Sequence, residues 1–434
     1  MRRLPLAPHP PPSARRLPLA DEARPVDQAW RPVYAVWEVT LRCDLACRHC
    51  GSRAGRARPD ELSTAEALDL VEQLADLGVR EVTLIGGEAY LRDDWLDIVR
   101  AVRRRGMTCT MTTGGRGITD DLAKRAADAG IQGASVSFDG LRATHDHIRA
   151  LDGTFEAAVR ALRAFRSSGL PVAANTHINR RNLREVPELV ELLIREGIRA
   201  WLMQFTVAMG RAADEDDLVL EPYQLLEAMP MLARMKRRAD EAGVRFWAGN
   251  NIGYFGPYEG LLRSSYPRGH MGSCGAGRTQ IGIEANGDIK GCPSLPTEDY
   301  VGGNVRDASL RDIWERGGPL RFTRERTAAE LWGRCRGCYY ADHCLAGCTW
   351  TTHVLFGRPG NNPFCHHRAL SLLSEGRRER IVRTEAASGL PFDFGRYAIV
   401  EEDWPSGEIE AARNLAATGE GRLVDAGPAR GNAT

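Results

Sequence analysis

The 434-residue sequence contains no apolar run approaching the roughly 18 residues that a membrane-spanning helix needs. A helical integral membrane protein is thereby excluded, and no membrane partner is expected. The chain also lacks net charge: 58 Lys and Arg against 57 Asp and Glu leave +1. Nothing global therefore draws it to nucleic acid or to an anionic membrane surface. No internal repeat is evident. A secretion signal is missing too: the N-terminus begins with Arg2 and Arg3, but Pro5, Pro8 and Pro10 to Pro12 break any apolar helical core. The expected compartment is the cytoplasm. Cysteine does not come in an even number either. There are 11, and an odd count in such a sequence argues against a disulfide framework.

What is present is a hydrophobic fraction of 43%, enough for a sizeable core, in a length that suits two or three domains. Residues 1–31 are rich in Pro and Arg and read as a disordered leader. From Val33 onward, short β-rich runs alternate with helical stretches. Strands are expected at Val33 to Thr40, Val82 to Ile85, Met107 to Thr112, Gly133 to Phe138, Val172 to Ile178 and Ala200 to Val207. Helices are expected at Thr64 to Leu77, Asp94 to Arg104, Asp120 to Ala129, Thr154 to Ser168, Leu183 to Glu196 and Tyr223 to Ala242. The first of these has a capping box in Ser63 and Glu66 and a stop at Gly78.

Six strand–helix units imply a parallel sheet covered by helices, curled by right-handed crossovers into an open (β/α)6 barrel related to the TIM barrel. Its active site belongs at the carboxyl ends of the strands. The expected α/β barrel spans 32–265. A Cys- and Gly-rich second domain organised by metal follows over 266–370, then a C-terminal helix and tail over 371–434.

Ten of the cysteines fall in two clusters. The first, Cys43, Cys47 and Cys50, has the spacing C-x3-C-x2-C directly after strand one. Three thiolates on one tight loop hold three irons of a four-iron cluster, which normally takes four cysteines. The missing ligand leaves one iron open to a small molecule. A structural zinc loop is the alternative, but zinc wants a fourth ligand, and His49 lies between two of the cysteines where its reach is poor. The second cluster runs Cys274, Cys292, Cys335, Cys338, Cys344, Cys348 and Cys365. Its Cys335-x2-Cys338 followed by Cys344 and Cys348 is also compatible with a zinc knuckle. Cys109, alone inside strand three, reads as a small buried hydrophobe.

The cysteine loop after strand one, together with Gly86-Gly87-Glu88 at the end of strand two, resembles the radical S-adenosylmethionine (SAM) superfamily. The resemblance implies that SAM chelates the open iron and that Gly86, Gly87 and Glu88 lie against its amino group. His49 stands where relatives usually carry another aromatic, and Ala89 where many carry Pro. By the same resemblance Thr112, Ser137, Asp139, Arg149 and Asn175 are candidate SAM contacts. Ordinary loop chemistry is their alternative, as it is for Asn179 and for Gly210-Arg211. His145 and His177 read as structural histidines.

The seven later cysteines resemble the SPASM domain, the auxiliary-cluster domain of many peptide-modifying radical SAM enzymes. That likeness implies one auxiliary [4Fe-4S] cluster on Cys335, Cys338, Cys344 and Cys365, and another on Cys274, Cys292 and Cys348 that is one cysteine short. The run from Trp37 to His367 is similar to maturases of ribosomally made precursor peptides, including those of Nif11-type precursors. The resemblance implies reductive cleavage of SAM to a 5′-deoxyadenosyl radical, hydrogen abstraction from a substrate, and an external electron donor.

The expected substrate is a precursor peptide. A separate leader-binding protein is an expected partner, since no leader-binding module is visible ahead of strand one. A dehydrogenase or epimerase acting on a small molecule such as a sugar is the second enzyme reading. A non-catalytic iron–sulfur redox sensor or zinc scaffold is the reading from another class. Tyr90, Tyr254 and Tyr258 are candidate relays, though packing or substrate contact is the commoner role of such residues.

Overall fold

A computed structural model describes residues 30–266, 269–270 and 272–425. Nearly all of the expected leader lies outside the described residues. The chain builds a ten-stranded sheet in the order β10-β9-β8-β1-β2-β3-β4-β5-β6-β7. Its parallel centre is β1 (Tyr34–Glu38), β2 (Glu81–Ile85), β3 (Thr108–Thr113), β4 (Ala134–Ser137), β5 (Val172–Ile178), β6 (Ala200–Phe205) and β7 (Arg245–Ala248). The end strands do not pair with each other, so the barrel stays open.

The crossovers are helical: α1 (Thr64–Leu77), α2 (Trp95–Arg104), α3 (Asp120–Ala129), α4 (Arg142–Arg149), α5 (Thr154–Ser167), α6 (Val186–Arg195) and α7 (Leu225–Glu241). In α1, Ser63 accepts from Glu66 N while Glu66 reaches back to the cap, and Gly78 ends the helix at φ +98°. A left-handed turn of that kind suits a residue without Cβ.

Strand alternation explains how one sheet carries both a core and a site. One face presents Trp37, Leu84, Met111, Val136, Ala174 and Trp201, all buried against the helices. The opposite face lines the barrel lumen. In register it presents Val36 beside Thr83 and Thr110, then Thr112 beside Ser135, and Ser137 beside Asn175. A hydroxyl chain crosses this face from Tyr34 through Thr83 to Thr110. The lumen is thus polar, and open toward the strand ends.

The structure departs from the sequence expectation in three places. A seventh parallel strand, β7, follows α7; its four residues are too few to show a period. The Cys-rich domain is not a separate layer: β8 (Gln280–Ile283) pairs in parallel with β1, and β9 (Asp288–Lys290) and β10 (Gly303–Asn304) continue the same sheet. The segment 371–434, expected as a helix and tail, holds an antiparallel hairpin of β11 (Arg377–Glu385) and β12 (Arg396–Asp403). Its charged residues hid the alternation.

Leu74 of α1 is fully buried in the main core. Leu74→Ala is expected to cost about 2–5 kcal/mol, read as a lowered Tm at matched iron content.

Candidate active site and cluster-binding cysteines

Cys43, Cys47 and Cys50 sit on an irregular loop beyond β1. Backbone contacts fix this loop. Cys43 N donates to Gly55 O, and Arg48 N to Ile148 O. Arg211 N donates to Cys50 O, and its guanidinium donates to Cys47 O and Ala54 O. Gly86 and Gly87 press against the loop's root, and a Cβ on either would collide with the carbonyls of Thr40 and Arg42. Gly210, at φ +57°, fits against the carbonyls of Cys50 and Gly51 in the same way.

Burial pushes the Cys43 thiol up to about 12 and the Cys47 thiol up to about 11. As free thiols they are inert; coordination to iron is what would deprotonate them. Among the described residues no group of three or more His, Cys, Asp or Glu is close enough to hold a single metal ion. A four-iron cluster spreads its thiolates wider than the roughly 2.3 Å bonds of one zinc ion do. The donor chemistry, three thiolates on one clamped loop beside a two-glycine cradle, fits such a cluster with SAM on its open iron.

Behind the loop lies a buried charge network. Arg149 Nη1 is 3.7 Å from Cys47 Sγ, and its Nη2 donates to Asp139 Oδ2 at 2.5 Å. His49 Nε2 lies 3.3 Å from the same carboxylate oxygen, and His177 N donates to Oδ1 at 2.9 Å. Burial alone would raise Asp139, but Arg149 and His49 outweigh it and hold the carboxyl well below its ordinary range. Asp139 and Arg149 are therefore engaged with each other and with the loop. His145 is lowered to about 3 and His177 to about 4, mainly by burial, so both are neutral.

Glu88 accepts from Thr113 Oγ1 at 2.5 Å and Gly114 N at 2.6 Å. Burial lifts it to about 7. Thr112, Ser137 and Asn175 share the lumen face with Ser135, whose buried hydroxyl has no partner among the described residues. An orphaned hydroxyl on this row fits a polar small molecule in the lumen.

The seven later cysteines gather into two sets. Cys335, Cys338, Cys344 and Cys365 line one cavity with Tyr254, Tyr340 and His367. Cys348 feels Cys274 and Cys292, and Cys292 feels Cys274, strongly enough to raise their thiols beyond what burial alone does. No fourth cysteine joins the second set. Tyr254 sits between the two sets: its ring packs on Gly347, its carbonyl accepts from Cys365 Sγ, and burial with Cys348 and Cys344 raises its phenol well above the ordinary value. Tyr90 donates to Asp44 and accepts from Gly117 N, and Tyr258 stacks on His366. Cys109 is fully buried on the helix-facing side of β3.

Between the loop and the second set lies a cavity of about 170 Å³, walled by Gly51, Gly86, His177, Met209, Pro293, Ser294 and Trp350. Its wall also includes Glu38, Glu284 and Phe392. The sequence reading missed these last three. The signal for Glu38 was available: a charged residue at the lumen position of a central strand. Arg58 bonds both Glu38 (3.3 Å) and Glu284 (2.7 Å), and Lys290 bonds Glu284 at 2.5 Å. Burial raises Glu38 to about 7, whereas Lys290 and Arg58 outweigh burial at Glu284 and keep it low.

The comparisons agree with this geometry. Residues 37–193 match the radical SAM superfamily, and residues 274–339 match the SPASM iron–sulfur cluster-binding domain. The AdoMet-dependent heme synthase of Nitratidesulfovibrio vulgaris is 30% identical over 355 residues, 76% of this chain and 91% of that one. The mycofactocin maturase MftC of Mycobacterium tuberculosis is 30% identical over 321 residues, 73% and 78% of the two chains. Among solved structures, SuiB of Streptococcus suis bound to SAM superposes with a TM-score of 0.60 at 18% identity, covering 77% of this chain and 76% of that one. The chain belongs to the radical SAM superfamily and carries a SPASM domain. It is an enzyme that uses SAM and [4Fe-4S] clusters, with no described helix long and apolar enough to cross a membrane.

Two outcomes are expected. Arg149→Met leaves Asp139 buried without its main partner and is expected to cost about 3–5 kcal/mol; adding Asp139→Leu should recover much of the lost Tm. Glu38 holds its proton in the fold up to about pH 7 but releases it near 4.5 when unfolded. The folded state binds more protons in that window, so stability falls as pH rises through it. Glu38→Gln should flatten the decline, measured as Tm against pH.

Proposed function

We propose that the enzyme modifies a ribosomally made precursor peptide in the cytoplasm, with an external electron donor and a separate leader-binding protein as partners. The cluster, when bound, supplies the electron that splits SAM and so makes hydrogen abstraction from an unactivated C–H bond possible. The chain's own residues do the rest. Arg149, Asp139 and Arg211 hold the cysteine loop; Gly86 and Gly87 admit SAM to close approach; Ser135, Ser137 and Asn175 offer polar contacts in the lumen. The walls from Met209, Trp350 and Phe392 exclude water from the reacting atoms.

The observation that carries the substrate class is the wall of the cavity. It presents Glu38 and Glu284, and neither Lys nor Arg lines it. The nearby cations, Arg58 and Lys290, are already bound to those carboxylates. An uncharged or cationic side chain is accommodated there. Relatives offer support on the same side: SuiB has been solved with its precursor peptide SuiA. The second reading, a small-molecule substrate, is favoured by the heme synthase relatives. A polycarboxylate macrocycle, however, would meet the ionised Glu284 and, above about pH 7, an ionised Glu38, with no Lys or Arg on the wall among the described residues.

Coexpression with a precursor peptide encoded beside the gene, read by mass spectrometry, tests the proposal. A mass change present with the native enzyme and absent with Cys43→Ala, Cys47→Ala and Cys50→Ala variants supports it. An unaltered peptide, with the purified enzyme turning over a tetrapyrrole or sugar instead, overturns it.

A further inference from the structure

The C-terminal hairpin reaches into the catalytic cavity, although it lies outside both family matches. Residues 386–395 join β11 to β12, and their turn is folded back over the cysteine loop. Asp393 is the anchor. Its carboxylate takes Arg53 Nε at 2.6 Å and Gly389 N at 2.6 Å, and its carbonyl takes Gly210 N at 2.8 Å. Arg53 follows Cys50 closely and donates its backbone N–H to Cys50 O. Phe394 forms a backbone bridge with Met209 and packs edge-on to His353. The turn is thus tied directly to the loop that carries the catalytic cysteines.

The anchoring drives Phe392 inward. Its φ is +60°, a left-handed conformation that a bulky side chain adopts only when its surroundings impose it. The ring is 7% exposed and forms part of the cavity wall. Its face meets Lys290 Nζ at 4.1 Å and Arg58 Cζ at 5.5 Å. Those cations pair with Glu284, and Arg58 also with Glu38, so the ring is seated on an ion cluster at the seam of barrel and SPASM domain. Val207, Met209 and Val354 pack around it. A strained, buried aromatic held by two anchors beside the SAM cradle is more than a surface turn needs.

We propose that Phe392 is a specificity-determining residue: the hairpin turn delivers its ring as the far wall of the catalytic cavity, where it seals the site and sets the shape of the group that can reach the reacting carbon. The inference needs only the radical SAM chemistry and stands apart from the peptide reading. It makes the active site a product of three chain segments: the barrel, the SPASM loops and the hairpin turn.

The test uses anaerobically reconstituted full-length enzyme with SAM and dithionite, first without any substrate. Phe392→Ala is expected to raise 5′-deoxyadenosine formation by about fivefold or more, because buffer hydrogen donors now reach the cavity. Iron content and SAM affinity should stay at the wild-type level, Phe392→Leu should fall between the two, and Leu390→Ala, on the exposed part of the same turn, should match wild type. In a second arm, with a processed precursor peptide, Phe392→Ala should lower product formed per SAM consumed. Substrate-free cleavage within about twofold of wild type overturns the inference. So does loss of iron from Phe392→Ala, which would assign the ring to folding alone. Because the first arm contains no peptide, a failed peptide assay and a failed wall are told apart.

Discussion

A loop without secondary structure must be held from outside, and here that loop carries the three thiolates on which the chemistry depends. Residues 43–50 gain their conformation from Arg211, Gly55 and Ile148 through backbone hydrogen bonds, and from the glycines of the β2 turn through close contact. Arg149 aims its guanidinium at the Cys47 sulfur of the loop. Its own position follows from Asp139, whose two oxygens are shared among Arg149, His49 and the His177 backbone. These groups come from several βα units: His49 and Gly55 follow β1, Asp139, Ile148 and Arg149 follow β4, His177 lies on β5 and Arg211 follows β6. The site therefore exists only once the barrel has closed far enough to bring strands four and five beside the first.

The lumen shows how the same strands serve stability and function. The helix-facing side is large and apolar, with Trp37 and Trp201 fully buried. The lumen side carries hydroxyls, amides and a carboxylate. An apolar lumen would pack shut, whereas this polar one leaves room that a small polar molecule can fill. Glu38 shows the cost of that choice. It is a buried carboxylate kept tolerable by Arg58 and by the balanced Glu284–Lys290 pair on the SPASM side. These four charges cross the boundary between the barrel and the Cys-rich domain, and the continuous pairing of β8 with β1 ties the two together.

Much of this was legible from the sequence, for physical reasons. The helices α1 and α3 match expectation to the residue because capping residues and glycine stops mark their ends, and the strand β5 matches through its strict alternation. The resemblance to the SPASM domain implied two auxiliary sets; in the fold Cys335, Cys338, Cys344 and Cys365 line one cavity, and Cys274, Cys292 and Cys348 lie near one another. What was not legible depends on contacts between distant segments. Nothing local in the sequence reveals that Asp139 and Arg149, both candidate SAM contacts, bond each other. The short helix α4 carries a single buried aliphatic, Ile148, and gave no period. Strand β11 begins Arg-Arg-Glu-Arg, where Arg378 pairs with Glu402, Glu379 with Arg368 and Arg380 with Glu221 rather than facing water. Phe392 was invisible for the same reason: only the folded chain brings residue 392 to the mouth of strand one.

The central claim is that this cysteine loop gives iron an open coordination position for SAM. The most direct measurement is anaerobic reduction of the fully reconstituted enzyme in the presence of SAM, with quantification of methionine and 5′-deoxyadenosine. The account predicts both products in equal amounts from the native protein and neither from a protein lacking Cys47. A fully iron-loaded native protein that leaves SAM intact under every reductant would contradict it.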